Sequence, residues 1–229
     1  MEIQGLQKLT LLDWPGRVVC TVFLGGCDFR CPFCHNTDLV TGHMPEGIMA
    51  QELFALLRKR KGVLDGVCVT GGEPLLYFGL EKLLGGIKDL GYPVKLDTNG
   101  NHPQRLRALY EQGYIDYVAM DIKNSPERYA ETAGIPALDL GPIRESVSWL
   151  LTGTVNFEFR TTVVRQLHSE EDFLAIGAWI RGAERYFLQT FVNRDRVPRS
   201  GLTAWERADM ERFADLVRPF VPSVQLRGI

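Results

Sequence analysis

The chain has 229 residues, 45% of them apolar, a length that allows one or two domains with a proper core. Its formal net charge of −2 gives no positive excess for nucleic acid or a membrane surface, and no run of about 18 apolar residues suits a membrane span. The opening MEIQGLQKLTLLDWPG carries an acid at position 2 and no basic stretch before an apolar one, so no secretory signal is expected.

Taken in chain order, β-rich runs alternate with helical patterns. RVVCTVFLGG (17–26) predicts a buried strand, and MAQELFALLRKR (49–60) a helix ending in a basic turn. GVCVTGGE (66–73) is a strand running into glycines, and GLEKLLGGIKDLG (79–91) a helix closed by Gly91. VKLDTNG (94–100) is a strand, and PQRLRALYEQG (103–113) a helix with Pro in its first turn and Gly at its end. YVAMDIK (117–123) is a strand. The irregular stretch 124–140 holds a short helix over PERYAET, and GPIRESVSWLLT (141–152) is a helix. NFEFRTTVV (156–164) is a strand, and 169–182 a helix with Ser169 as N-cap and acids in its first turn. RYFLQTFV (185–192) is a strand, 203–220 a long helix, and 223–228 a last short strand.

Strand-then-helix alternation of this kind calls for a parallel sheet with helices outside it. A closed eight-unit barrel needs about 250 residues. The expected fold is therefore α/β, a partial (β/α)6 TIM-like barrel, with 1–229 as one domain and no break in composition. GGCDFRC, GGEP, DTNG and DIK fall at the C-terminal ends of the first four strands, with Arg160 and LQTF in the fifth and sixth. In parallel α/β folds, that edge is where ligands bind.

Five cysteines form an odd set, and three of them, Cys27, Cys31 and Cys34, lie within GGCDFRCPFC. Clustering suits metal or redox chemistry in a cytoplasmic chain better than a secreted disulfide framework. A structural zinc site is closed by four protein ligands, and a fourth is hard to find. Cys20 and Cys68 sit in apolar strand patterns and read as core residues. His35 directly follows Cys34, an awkward place for a second bond to one metal. A catalytic zinc on three thiolates would be a poor Lewis acid. An iron–sulfur cubane takes four external ligands, so three cysteines leave one iron open for a small molecule. Gly25 and Gly26 let the chain turn sharply from the strand, and Phe33 would shield the cluster from water.

C-x3-C-x-F-C after the first strand, with GGEP after the second, resembles the radical S-adenosylmethionine (SAM) superfamily. CPFCHN, the upstream DWPGR, DTNG and D-x-K resemble in particular the activating enzymes of glycyl radical enzymes. GLQKLTLLDWPGRVVCTVFLGGCDFRCPFCHN (5–36) is similar to anaerobic ribonucleoside-triphosphate reductase activating proteins. The resemblance implies a radical SAM fold, a [4Fe–4S] cluster on Cys27, Cys31 and Cys34, and S-adenosylmethionine as ligand. It further implies reductive cleavage to a 5′-deoxyadenosyl radical and a glycyl radical on a partner, a class III ribonucleotide reductase, with flavodoxin or ferredoxin as electron donor.

Residue by residue, the resemblance assigns Gly71, Gly72 and Glu73 to the ligand ammonium. Asp97, Thr98, Asn99 and Asp121 are assigned to ribose hydroxyls or a monovalent cation. Lys123 and Arg160 are assigned to the ligand carboxylate, with Thr162 on the same strand face as Arg160. The plain alternatives are strand-end turns and an Arg160–Glu158 ion pair. Some relatives carry a sixth-strand histidine that reaches the ribose; here Gln189 takes that place. In activases DWPGR lies near the mouth, although a Pro-Gly turn with Trp14 as a packing residue is equally expected. Arg194, Arg196 and Arg199 form a basic run. His35 and Asn36 shape the cysteine loop; His43, His102 and His168 read as solvent or loop residues. Two other functions stand beside the activase: a radical enzyme for a small molecule, such as 7-carboxy-7-deazaguanine synthase, and a zinc-stabilised binding domain.

Overall fold

The computed structural model describes residues 2–42, 46–193 and 197–228. Its elements in chain order begin with β1 (Glu2–Ile3), β2 (Gly5–Thr10), β3 (Val19–Leu24), α1 (Thr37–Thr41), β4 (Ile48–Met49) and α2 (Ala50–Lys59). There follow β5 (Gly66–Gly71), α3 (Leu80–Asp89), β6 (Val94–Thr98), α4 (Pro103–Glu111), β7 (Tyr117–Asp121), α5 (Tyr129–Ala133) and α6 (Gly141–Leu151). The last are β8 (Asn156–Val163), α7 (Glu170–Trp179), β9 (Arg185–Thr190), α8 (Arg207–Val217) and β10 (Ser223–Arg227). Contacts divide the chain into two compact units, one of Met1–Asp28, Asp38–Thr98 and His102–Val118, the other of Phe29–Thr37, Asn99–Asn101 and Ala119–Ile229.

In the first unit, β3 pairs in parallel with β5, from Val19↔Gly66 to Leu24↔Gly71, and β5 pairs in parallel with β6. One face of these strands is apolar and closed, as Val22, Leu24, Val67, Val69 and Leu96 share it and are fully buried. Helix α3 turns Leu80, Leu83, Leu84 and Ile87 inward at i, i+3, i+4 and i+7. Each such leucine contributes about 1.5–3 kcal/mol on burial. Gly91, at φ +76°, ends the helix as expected, its amide donating to the Lys88 carbonyl at 2.7 Å.

Two features of this unit depart from the sequence reading. β2 is an antiparallel partner of β3. Gln7, Lys8 and Leu9 are all exposed on it, which blurs the alternation that marks a strand. Trp14 packs with Val19, Cys68 and Tyr117, and its ring lies 5.7 Å from that of Tyr117. Val19, Gly66 and Tyr117 begin β3, β5 and β7, so DWPGR sits at the N-terminal ends of these strands, away from the motif-bearing ends. The packing role of Trp14 is correct, and a place at the mouth is not.

In the second unit, β8 pairs in parallel with β9, and β9 with β10. Phe159, Tyr186, Leu188, Phe173 and Phe213 are buried there, the last two stacked at 4.6 Å. Ser169 and Asp172 form a capping box on α7, which the serine and the acidic first turn had indicated. α8 is shorter than the 203–220 pattern. Glu206 is an extended N-cap, and Trp205 ahead of it folds onto Phe213, edge to face at 5.3 Å. No helix among the described residues is long and apolar enough to cross a membrane. Arg194, Arg196 and His43 lie outside the described residues.

Candidate active site

The cysteine loop leaves β3 at Gly25–Gly26. In the first unit it is fixed to the glycines that end β5. Gly72 N–H donates to the Leu24 carbonyl at 2.9 Å, and Glu73 N–H to the Gly26 carbonyl at 2.7 Å. A Cβ on Gly71 would collide with Leu24 backbone, and one on Gly72 with the Gly26 carbonyl. These glycines are thus required for two backbones to meet, whatever else approaches them. Glu73 is fully buried; its Oε1 accepts from Leu75 N–H at 3.0 Å and from Thr98 Oγ1 at 2.9 Å. The carboxylate therefore caps the turn over 74–76 and ties it to the end of β6.

Beside Cys27, Asp28 Oδ2 lies 2.9 Å from His102 Nε2, and that hydrogen bond raises the histidine's pKa against the pull of burial. His102 lies in the loop before α4, as the sequence reading allowed, and there it is held by Asp28. On β6, Lys95 is fully buried and its Nζ donates to Asp97 Oδ1, with Cys68 Sγ 4.0 Å from the ammonium. Cys20 and Cys68 are both buried, as expected, but Cys68 touches this charge pair.

The second unit carries the rest of the loop. Cys31 is buried and Cys34 partly exposed; Cys34 N–H donates to the Cys31 carbonyl at 3.1 Å, and Thr37 Oγ1 to the Cys34 carbonyl at 2.9 Å. Burial pushes the Cys31 thiol up to about 11, although the Lys123 charge works the other way. Phe33 is buried. His35 stacks on Phe191 and makes a 2.6 Å hydrogen bond to the Val192 carbonyl. Arg30 N–H donates to the Ala133 carbonyl at 2.9 Å, and Arg199 N–H to the Pro32 carbonyl at 3.0 Å.

Asp121, at the end of β7, receives Lys123 Nζ at 3.0 Å and Arg160 Nε at 2.9 Å. Burial acts to raise its pKa, but the two cations overcome it and hold the carboxyl down at about 2. Tyr129 donates to the Asp121 carbonyl at 3.2 Å. Arg160 thus makes an internal ion pair, as the plain alternative expected, with Asp121 as the acid. Glu158, fully buried, takes a two-pronged bond from Arg227 at 3.0 and 3.2 Å, and the guanidinium of Arg227 lies 3.4 Å from the Phe187 ring centroid. Thr162 and Gln189 are half-buried neighbours in the β8–β9 register. Asn99 makes a local turn, its Oδ1 accepting from Asn101 N–H at 2.9 Å.

Sequence reasoning missed Lys95, Gly134, Arg227 and the buried His168. A lysine alternating with an aspartate in the apolar run VKLDT was the one signal available for Lys95. His168, at 2% exposure, hydrogen-bonds the Lys123 carbonyl at 2.9 Å and is not a solvent residue.

The donor set suits a cluster. All five cysteines are free thiols, and three of them share one short loop. Among the described residues, no three His, Cys, Asp or Glu side chains are arranged to hold a single metal ion. A cubane makes a different demand, since each thiolate binds its own iron.

Residues 21–168 match the radical SAM superfamily. A Methanocaldococcus jannaschii protein, provisionally described as a glycyl-radical enzyme activating enzyme, is 27% identical over 99% of this chain and 96% of its own length. The 7-carboxy-7-deazaguanine synthase of Hyperthermus butylicus is 30% identical over 94% of this chain and 79% of its own. The pyruvate formate-lyase-activating enzyme of Clostridium pasteurianum is 34% identical over 54% of this chain and 52% of its own. Among solved structures, Streptococcus suis SuiB bound to S-adenosylmethionine superposes with a TM-score of 0.70 at 15% identity. That match covers 91% of this chain and 52% of SuiB, so the chain spans about half of that protein. The shared fold is the α/β fold expected from the strand–helix alternation. With a family match over residues 21–168 and relatives aligned along nearly its whole length, the chain belongs to the radical SAM superfamily.

Proposed function

We propose that this chain is an activating enzyme for a glycyl radical enzyme, with a class III ribonucleotide reductase as its client and a flavodoxin or ferredoxin as electron donor, working anaerobically in the cytoplasm. Cys27, Cys31 and Cys34 would hold the [4Fe–4S] cluster. When bound and reduced, that cluster supplies one electron to cleave S-adenosylmethionine, and the 5′-deoxyadenosyl radical released removes a hydrogen atom from a partner glycine.

The chain's own residues bind and orient. Carbonyls of the Gly71–Glu73 turn would accept from the ligand ammonium, and the Glu73 carboxylate keeps that turn in place through Leu75 N–H and Thr98. Lys123 and Arg160, both on Asp121, are the cations that would meet the ligand carboxylate. Thr162 and Gln189 would meet the ligand along β8 and β9. Buried Phe33 keeps water from the cysteine loop.

The observation that carries this reading is the C-x3-C-x2-C trio of free thiols on the loop after β3, in a chain aligned end to end with an activase-like relative. Anaerobic reconstitution should give a brown protein with about four irons per chain. With dithionite it should release 5′-deoxyadenosine, and with the reductase present it should produce a glycine-centred EPR doublet. Cys31→Ala should end the cleavage; a colourless chain holding one zinc would sink the proposal.

The identity to the deazaguanine synthase supports a second reading, a radical enzyme for a small molecule. Deoxyadenosine formed with that enzyme's substrate, and no doublet in the reductase, would favour it.

A further inference from the structure

The resemblance offers Asp97 and Asp121 to a monovalent cation, and the side chains around each acid disagree. In the first unit, Lys95 is completely buried and its ammonium donates to Asp97 Oδ1. The two residues are two apart on β6, so their side chains leave the same face of the strand. A lysine closed off from water is tolerated only when a counter-charge meets it, and Asp97 is that counter-charge. In the second unit, Asp121 carries Lys123 at 3.0 Å and Arg160 at 2.9 Å. Each carboxylate thus already has a cationic group supplied by the chain.

We infer that Lys95 takes the place of an exchangeable monovalent cation at Asp97 in the first unit, that Lys123 and Arg160 do so at Asp121 in the second, and that this chain therefore binds none. An ammonium and a potassium ion are of similar size and charge, and both seek carboxylate oxygens. Lys95 is therefore a positioning residue: it fixes the Asp97 carboxylate at the end of β6, where a bound cation would otherwise do so. The inference concerns the cofactors of the site proposed above, but its primary test does not need turnover.

The reconstituted protein is dialysed against radioactive rubidium, a potassium surrogate, at millimolar concentration. Wild-type protein should retain no stoichiometric rubidium. Lys95→Met, which keeps the chain length and removes the charge, should gain about one site per chain. S-adenosylmethionine affinity should agree within about twofold between potassium and tetramethylammonium buffers for wild-type protein, and drop about tenfold in tetramethylammonium for Lys95→Met. One rubidium bound per wild-type chain overturns the inference, as does a folded Lys95→Met protein indistinguishable from wild type in both measurements. Should Lys95→Met not fold, the wild-type dialysis decides alone. Should the protein fail to bind S-adenosylmethionine, the functional proposal falls, while the rubidium result still stands or falls by itself.

Discussion

Gly134 lies directly against the backbone carbonyl of Arg30, in the middle of the cysteine motif. It has φ +70°, closes α5, and has no room for a Cβ beside that carbonyl. One bond away in the chain, Ala133 accepts the Arg30 amide. The end of a short helix therefore sets the path of the loop between Cys27 and Cys31. Gly134→Ala should push the loop away and lower iron retention severalfold after reconstitution. Gly201→Ala is the control, with φ +77° and open space around it. It should lose about 1–2 kcal/mol for the left-handed backbone and keep its iron. Equal iron in the two variants would show that backbone strain alone, and not the contact with Arg30, matters.

Arg227 and Glu158 make the other closed pair. Arg227→Met would take both guanidinium bonds from a carboxylate that has no exposed side-chain surface. Removing one partner of a buried pair costs about 3–5 kcal/mol. Urea denaturation of Arg227→Met should show a loss of that order. Glu158→Gln with Arg227→Met should recover much of it, because no charge is then left behind. If the double variant is as unstable as the single, the cost lies in packing over Phe187 and not in the stranded charge.

Arg160 sits two residues further along β8, and its loss should read differently. Asp121 keeps Lys123 and is 30% exposed in its side chain, so Arg160→Met should cost less stability than Arg227→Met. In contrast, S-adenosylmethionine affinity should fall at least tenfold, about 1.4 kcal/mol, while Arg227→Met leaves affinity near wild type. Equilibrium dialysis with labelled ligand separates the two variants. Identical affinity losses would remove Arg160 from the ligand site.

Local chemistry made much of the fold legible. Pro103 opens α4 through its fixed φ and missing N–H, while Gly91 closes α3 and the Ser169–Asp172 box starts α7 through bonds to near neighbours in sequence. The cysteine trio is legible for the same reason, being a spacing within one loop. What could not be read is the choice of partner across the structure. Arg160 had acids available on its own strand and on the next, and register gave it Asp121 and gave Glu158 to Arg227. Trp14 looked equally suited to either end of the strands until Val19 and Tyr117 fixed it at their beginnings. His102 and His168 have neutral surroundings in sequence, and only folding brings Asp28 to one and the Lys123 carbonyl to the other.

His168 makes stability depend on pH. Val164 N–H donates to its Nδ1 at 3.1 Å, so the ring proton sits on Nε2 and faces the Lys123 carbonyl at 2.9 Å. Burial holds its folded pKa below the usual histidine value. The unfolded imidazole, with a pKa of about 6.5, therefore takes up a proton that the folded one refuses. Stability from this residue is fully present above about pH 6.5 and falls with acidification, by at most about 1.4 kcal/mol per pH unit, until the folded pKa is reached. His102 has the opposite sign: its raised pKa adds stability at low pH that is lost as pH rises through the folded value. Comparison with His168→Leu isolates the first effect. Urea midpoints taken from pH 8 to pH 5 should decline more steeply in wild type than in the variant, which should be less stable at pH 8 for want of the Lys123 contact. Parallel curves would mean that His168 titrates alike in the folded and unfolded states, and that burial does not hold its proton off.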